Sequence, residues 1–231
     1  MKRRYFLITM LFLVFLFDVR VQSQIIKGFV ATGLNMAQVD GDEAYGYKLP
    51  GVNVGLGVMI PFKKNWDISL ETSYTQKGAN QRAQYTSDSL NGAYKLRLNY
   101  LEIPLMLHYT DKEFITVGSG LSWARLVSAT EFEHGRQTNT TADNKVYDPN
   151  DISVLLDLKM KISGKLKFNF RYQYSMLHIR TRTFTTLGGT STWSRHQYNN
   201  VLSFRLFYIF NEVQSERAVQ KAKIENKSNM Y

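Results

Sequence analysis

The chain has no cysteine among its 231 residues. That excludes a disulfide framework, thiolate nucleophiles and cysteine-built metal sites. Proline is scarce, at 4, while Tyr and Phe stand at 14 each; this balance favours strands over disorder. Long apolar runs are missing too. No stretch after the N-terminal segment approaches the ~20 residues that a spanning helix needs. If the mature chain enters a membrane it must do so as a closed barrel, because lipid offers no partner to an unpaired backbone group.

The N-terminus reads as a secretory signal over residues 1–23. Lys2, Arg3 and Arg4 form a positive start, Tyr5 to Phe17 is apolar, and Val21 and Ser23 are small enough for cleavage before Gln24. Loss of this segment lowers the formal charge from +10 to +7. An exported basic chain is expected to meet anionic lipid rather than nucleic acid.

The dominant pattern is alternation with a period of two. In KLKFNFRYQYSML, Lys165 to Leu177, polar residues hold the odd positions through Ser175, and leucine, aromatics and methionine the even ones. The same pattern runs through Val52–Ile60, Trp66–Thr75, Ile115–Ala124, Ile152–Ile162 and Leu202–Phe210, with a weaker strand over Ile26–Leu34. Around Leu96 to Tyr109 the apolar positions switch from even to odd, which predicts a bulge near Tyr100, and Pro104 removes one ladder donor. That makes eight strands. Their connections alternate: long polar ones at 35–50, 77–95, 128–150 and 178–197, short ones at 62–65, 110–113 and 163–164. The expectation is an all-β, eight-stranded antiparallel up-and-down transmembrane β-barrel over residues 24–210, with four long external loops and short periplasmic turns. Residues 211–231 carry mixed charge and no apolar stripe, and read as a polar periplasmic tail.

A soluble eight-stranded barrel would show the same alternation with the faces exchanged. Three features favour the membrane version. The polar face includes Gly55, Gly57, Gly118, Gly120, Ser122 and Ala124, which suit a crowded lumen. Aromatics collect at both strand ends of the apolar face, Trp66, Tyr109, Tyr208 and Phe210 at one and Tyr74, Trp123, Tyr172 and Tyr174 at the other. The alternating runs are long enough for a tilted strand to cross a bilayer. The lumen would then hold Asp67, Glu71, Glu102 and Asp157 with Lys159, Lys167, Arg171 and Arg205. Near-equal signs suit a paired plug; the alternative is a polar conduit for ions or a small solute.

The stretch GLNMAQVDGDEAYGYKLPGVNVGLGV, with ETSYTQKGA at Glu71–Ala79 and LNYLEIPLMLHY at Leu98–Tyr109, resembles the PorT-type outer-membrane barrels of Bacteroidota. The resemblance spans about Gly28 to Phe210. It implies a signal-bearing eight-stranded barrel and carries no catalytic residues; the family's namesake is linked with protein secretion.

Candidate chemistry is thin. His108, His134, His178 and His196 show no metal-ligand spacing. His178 with Ser175 is the sole hint of a nucleophile–base pair, and DGDE at Asp40–Glu43 is a fragment of a calcium loop without the remaining ligands. No cofactor is expected. Arg180 and Arg182 in HIRTRTF are candidates for lipid-phosphate contact. The sequence therefore points to a non-enzymatic outer-membrane barrel whose partners are outer-membrane lipid, and lipopolysaccharide or a protein reached through the external loops. A lipid-modifying enzyme, a narrow channel and a secretion-associated barrel are the alternatives.

Overall fold

The computed structural model describes residues 26–86, 91–112, 114–185 and 191–210. The expected signal segment and polar tail lie outside the described residues. The strands are β1 (Lys27–Asp40), β2 (Leu49–Lys63), β3 (Trp66–Gln81), β4 (Tyr94–Asp111), β5 (Ile115–Glu133), β6 (Arg136–Gln137), β7 (Asn150–Ser163), β8 (Leu166–Ser175), β9 (Arg180–Thr185) and β10 (Thr192–Ile209). Eight of them pair in sequence order as an antiparallel meander. β1 then pairs with β10, from Phe29 opposite Ile209 to Asp40 opposite Tyr198, and closes the ring. The other two are additions at the external rim: β6 folds back on the end of β5, and β9 makes a hairpin with Thr192–Gln197 of β10.

Three tight turns join the ring strands at one end, after Lys63, Asp111 and Ser163. The last is only Gly164 and Lys165, and Gly164 sits at φ +48, in the left-handed region that a residue without Cβ enters freely.

Grease faces out and charge faces in. Leu56, Leu105 and Leu156 are 68%, 55% and 53% exposed, whereas Glu71, Arg171 and Arg205 are 2%, 3% and 1% exposed. A soluble barrel would show the reverse. The apolar band is bounded at the short-turn end by Trp66 and Tyr109, whose rings lie 5.1 Å apart, and at the other end by Tyr74, Leu101 and Trp123. From Tyr109 to Leu101 is eight steps along β4; at ~3.4 Å each and a tilt of ~40° this is about 21 Å, near the height of an outer-membrane apolar band.

Two expectations are corrected. First, the strands extend beyond the band. β1 runs to Asp40, β3 to Gln81 and β5 to Glu133, while β4 begins at Tyr94 and β10 at Thr192, so that much of the expected long loops is strand. Second, β4 does not change phase. Leu96, Leu98, Tyr100, Glu102, Met106 and His108 all point inward and are buried. The bulge lies across the ladder on β5: Asn99 pairs with Ser128 and Tyr100 with Leu126, leaving Val127 as the extra residue. What changes at Tyr100 is the character of the interior, which passes from polar to apolar. The β3–β4 ladder loses the pairs around Pro104 and resumes in unchanged register.

Candidate functional site

The lumen is a layered charge network. In the lower layer Arg171 grips Asp157 with two N–H groups, Nε to Oδ1 at 2.6 Å and Nη2 to Oδ2 at 3.0 Å, and reaches Glu71 Oε2 at 3.3 Å. Arg205, from the neighbouring strand β10, donates to Glu71 Oε1 at 2.6 Å, Asn169 Oδ1 at 2.9 Å and Asn53 Oδ1 at 3.2 Å. Lys159 stands 3.9 Å from Asp157 and 4.3 Å from the centre of the Phe207 ring. In the upper layer Lys77 bonds to Asp151 at 3.1 Å and lies 3.6 Å from Glu102, Asn199 donates to Asp151 at 2.9 Å and Gln173 to Glu102 at 2.6 Å.

Glu71, Glu102, Asp151 and Asp157 thus face Lys77, Lys159, Arg171 and Arg205, four charges of each sign. Six of the eight residues expected in the lumen are among them. Asp67 and Lys167 are half-buried nearer the short-turn end, outside the pairs just described. Lys77 and Asp151 escape the sequence pattern because the clear alternation stops at Thr75 and resumes only after Asp151. Lys77 continues the inward series Glu71, Ser73, Thr75, and Asp151 opens the series that leads to Asp157.

Apolar clusters lie on either side of this compartment. At the short-turn end Phe29, Met59, Phe207 and Ile209 of β1, β2 and β10 cluster inside the ring, with the Phe29 and Phe207 rings stacked 4.2 Å apart. At the external end Leu96, Leu98, Tyr100, Leu126, Tyr147 and Ile179 form the largest apolar cluster of the described residues. Small lumen residues make room for large ones: a Cβ on Gly118 would overlap the His108 ring, and one on Gly55 would lie 2.6 Å from Glu71 Oε1.

Above the external cluster the strands and loops build a crown. Glu131 Oε1 accepts from Arg180 at 2.9 Å, Tyr94 at 2.9 Å and Tyr147 at 3.1 Å, and Oε2 accepts from Thr140 at 2.6 Å. Arg182 donates to Glu133 at 2.6 Å, and Arg195 approaches Glu43 at 3.8 Å. Three arginines of the β9–β10 hairpin therefore hold it to carboxylates of β5 and the first loop. Arg180 and Arg182, the candidates for lipid-phosphate contact, pair with Glu131 and Glu133, with side chains 18% and 23% exposed. Burial pushes the Tyr147 hydroxyl up to about 12, and the adjacent Glu131 adds to this. Burial likewise raises Asp42 to about 7, against the opposing hydrogen bond from the Ala44 N–H. A cleft of about 220 Å³ opens beside it, lined in part by Glu43, Tyr94, Glu133, His134 and Arg182.

The catalytic hints do not assemble. Ser175 is fully buried and its Oγ accepts from the Asn199 N–H, whereas His178 is exposed and packs on His196 with ring centres 4.9 Å apart. Inside the lumen Ser69 Oγ lies 2.9 Å from His108 Nε2, the spacing of a nucleophile and its base. Lys159 Nζ stands 3.2 Å from the same nitrogen, and among the described residues no hydrogen-bond partner meets Nδ1. Nε2 thus faces both the Ser69 hydroxyl and the Lys159 amine, and Ser69 and His108 are at most 3% exposed. The DGDE carboxylates diverge: Asp40 accepts from Gln38 and Asn200, Asp42 from Ala44, and Glu43 faces Arg195. Among the described residues no His/Asp/Glu group has the geometry to hold a metal ion.

The family described as outer membrane protein beta-barrel domain matches residues 22–180. No curated protein matches the chain. Solved structures similar to it include the attachment invasion locus protein Ail of Yersinia pestis in complex with sucrose octasulfate (13% identity, TM-score 0.47, 80% of this chain and 99% of that one). Neisserial surface protein A follows at 11% identity and TM-score 0.49, covering 79% and 97%. A major outer membrane protein of Thermus thermophilus stands at 12% and 0.43, covering 80% and 99%.

Proposed function

From the premise that the chain belongs to the outer membrane protein beta-barrel family, we propose that it is a non-enzymatic, non-conducting barrel of the outer membrane that carries a rigid external crown for contact at the cell surface. The observation behind this reading is the sealed lumen. Four acids and four bases neutralise one another within it, and buried apolar clusters flank them towards both ends. An ion crossing it would have to break buried pairs and then pass apolar side chains, each step costing several kcal/mol. The crown is built to be held still: arginines lock the β9–β10 hairpin to Glu131, Glu133 and Glu43, and its outward side offers Thr181, Thr183, Ser194 and His196 to the surroundings. Such a surface suits a protein or saccharide partner reached through hydrogen bonds. The motifs shared with PorT-type barrels support placement near them, and no secretion role follows from those motifs.

Single-channel recording in planar bilayers tests the reading. The purified barrel is expected to be silent at moderate voltage. A reproducible open-state conductance that scales with salt concentration would overturn it.

A further inference from the structure

The external rim is electrically lopsided on its outward side. Above the apolar band, the outward positions just before β2 and along β4 and β5 include Lys48, Lys95, Arg97 and Arg125. The register sets them in neighbouring rows. Lys48 and Lys95 flank Asn80, which bonds to the Lys48 carbonyl and pairs with Lys95; Arg97 pairs with Gly78; Arg125 pairs with Leu101, one row above the Ile103–Trp123 pair. Lys95 and Arg97 are about 7 Å apart along β4, and Arg97, about 14 Å along the strand from Leu101, lies about 10 Å above the level of Leu101 and Arg125 at a tilt of ~40°. No acidic residue occupies an outward position of β2–β5 in these rows.

These cations differ from the other arginines described above. Arg171, Arg180, Arg182, Arg195 and Arg205 each face a carboxylate. Arg97 donates to the Pro50 carbonyl at 3.4 Å and Arg125 to Asn150 Oδ1 at 3.3 Å. Both are oriented by neutral oxygens and, among the described residues, neither is in an ion pair, so their charge is available. On the other arc of the rim, β8, β10 and β1 present Tyr172, Tyr174, Tyr198, Gln38 and Asp40, with the Tyr174 and Tyr198 rings stacked 6.1 Å apart and no cation among them.

We propose that the Lys48–Lys95–Arg97–Arg125 face binds the phosphorylated headgroup of a lipid in the outer leaflet. The acyl chains would lie against Leu101, Ile103 and Trp123, and the phosphates would meet the cations one to four rows above the Ile103–Trp123 pair. A row of like charges at the edge of a low-dielectric slab attracts anions strongly there, and its effect fades within a Debye length of the surface. Arg125 lies at the level of the lipid–water boundary and is the first contact; Arg97 and Lys95 fit a second phosphate or a sugar-linked one above it. The opposite arc offers aromatic anchors and the Asp40 carboxylate, and so gives a lipid phosphate no cation to meet.

The test compares thermal unfolding of the full barrel in phosphatidylcholine bilayers containing bisphosphorylated lipid A, the same glycolipid with its phosphates removed, or no glycolipid but added inorganic phosphate. The phosphorylated lipid is expected to raise Tm by roughly 5–10 °C over phosphatidylcholine alone. That gain should largely vanish as salt rises from about 50 mM to about 500 mM. The Lys95→Gln/Arg97→Gln/Arg125→Gln variant should keep its Tm in phosphatidylcholine and lose most of the gain. Arg125→Gln alone should lose part of it, and Arg97→Lys with Arg125→Lys should retain much of it. Equal stabilisation by the dephosphorylated lipid, full stabilisation by inorganic phosphate without lipid, or an undiminished gain in the triple variant would each overturn the proposal. Conductance measurements are independent of this result, so failure here is distinguishable from failure of the sealed-lumen reading.

Discussion

β4 passes through two solvents. Below Tyr100 its outward residues are Leu101, Ile103, Leu105 and Leu107, and its inward ones include Glu102 and His108; above Tyr100 the outward residues are Asn99, Arg97 and Lys95, and the inward ones Leu98 and Leu96. The strand keeps one direction of pleat throughout, and the chemistry of its two faces is exchanged midway. The lower part is a membrane protein, apolar outside and salt-bridged inside. The upper part follows the rules of a water-soluble barrel, with an apolar core under a polar shell. Burial therefore means opposite things in the two zones. In the lower one it encloses charges that must all be paired; in the upper one it removes apolar surface from water.

This contrast can be broken most severely in the lower zone. Glu71 lies between two guanidiniums, Arg205 at 2.6 Å and Arg171 at 3.3 Å. Glu71→Gln should leave excess positive charge enclosed and cost about 3–5 kcal/mol, read as a lower urea midpoint and earlier loss of heat-modifiable gel mobility. A Glu71→Gln barrel as stable as the parent would mean that the pairs are water-screened and the lumen is open.

A paired substitution on β4 sharpens the boundary. Leu98→Ala, inside the crown, should cost about 2–5 kcal/mol through the cavity it leaves, seen as faster protease nicking of the external loops. Leu105→Lys, on the apolar band, should cost about 2–4 kcal/mol and lower the urea midpoint of the barrel. If Leu98→Ala affected only the barrel midpoint, or Leu105→Lys only the loops, the two zones would not be separate.

The smallest effect concerns pH. Asp42 is held near 7, above its ordinary carboxylate range, by burial in the crown. The folded state therefore retains a proton that the unfolded chain has released. Its contribution is greatest below about pH 4 and declines as pH rises from about 4 through about 7. The first loop should exchange amide protons faster at pH 8 than at pH 5 after correction for intrinsic rates, and Asp42→Asn should remove much of that difference. A pH-independent exchange rate in the parent would contradict it.

The lower zone was legible in the sequence because lipid demands apolar residues at every outward position. Leu101, Ile103, Leu105 and Leu107 announce a strand, a face and a boundary together. Six lumen charges could be read from the same alternation. The crown was not legible, because its alternation has the opposite polarity. Leu96 and Leu98 followed by Leu101 looked like a change of phase, and Lys77 and Gln38 looked like loop. A second obstacle was the bulge: Val127 shifts β5 by one residue, so that Ala124 and Leu126 below it and Ala129 and Glu131 above it all point inward although their numbering changes parity. Pairings across the ring, such as Arg205 with Glu71 or Arg180 with Glu131, join residues 134 and 49 positions apart, and no local pattern reveals which cation will meet which acid.

The seam between the first and last ring strands makes neutralisation and assembly a single event. Arg205 rides on β10, Glu71 on β3 and Asn53 on β2, so their contacts span a chord that exists only once β1 has zipped onto β10. A curled but unshut intermediate would hold a bare guanidinium and a bare carboxylate against acyl chains. Partly inserted forms are thereby penalised, and the chain is driven to enter the bilayer either shut or not at all.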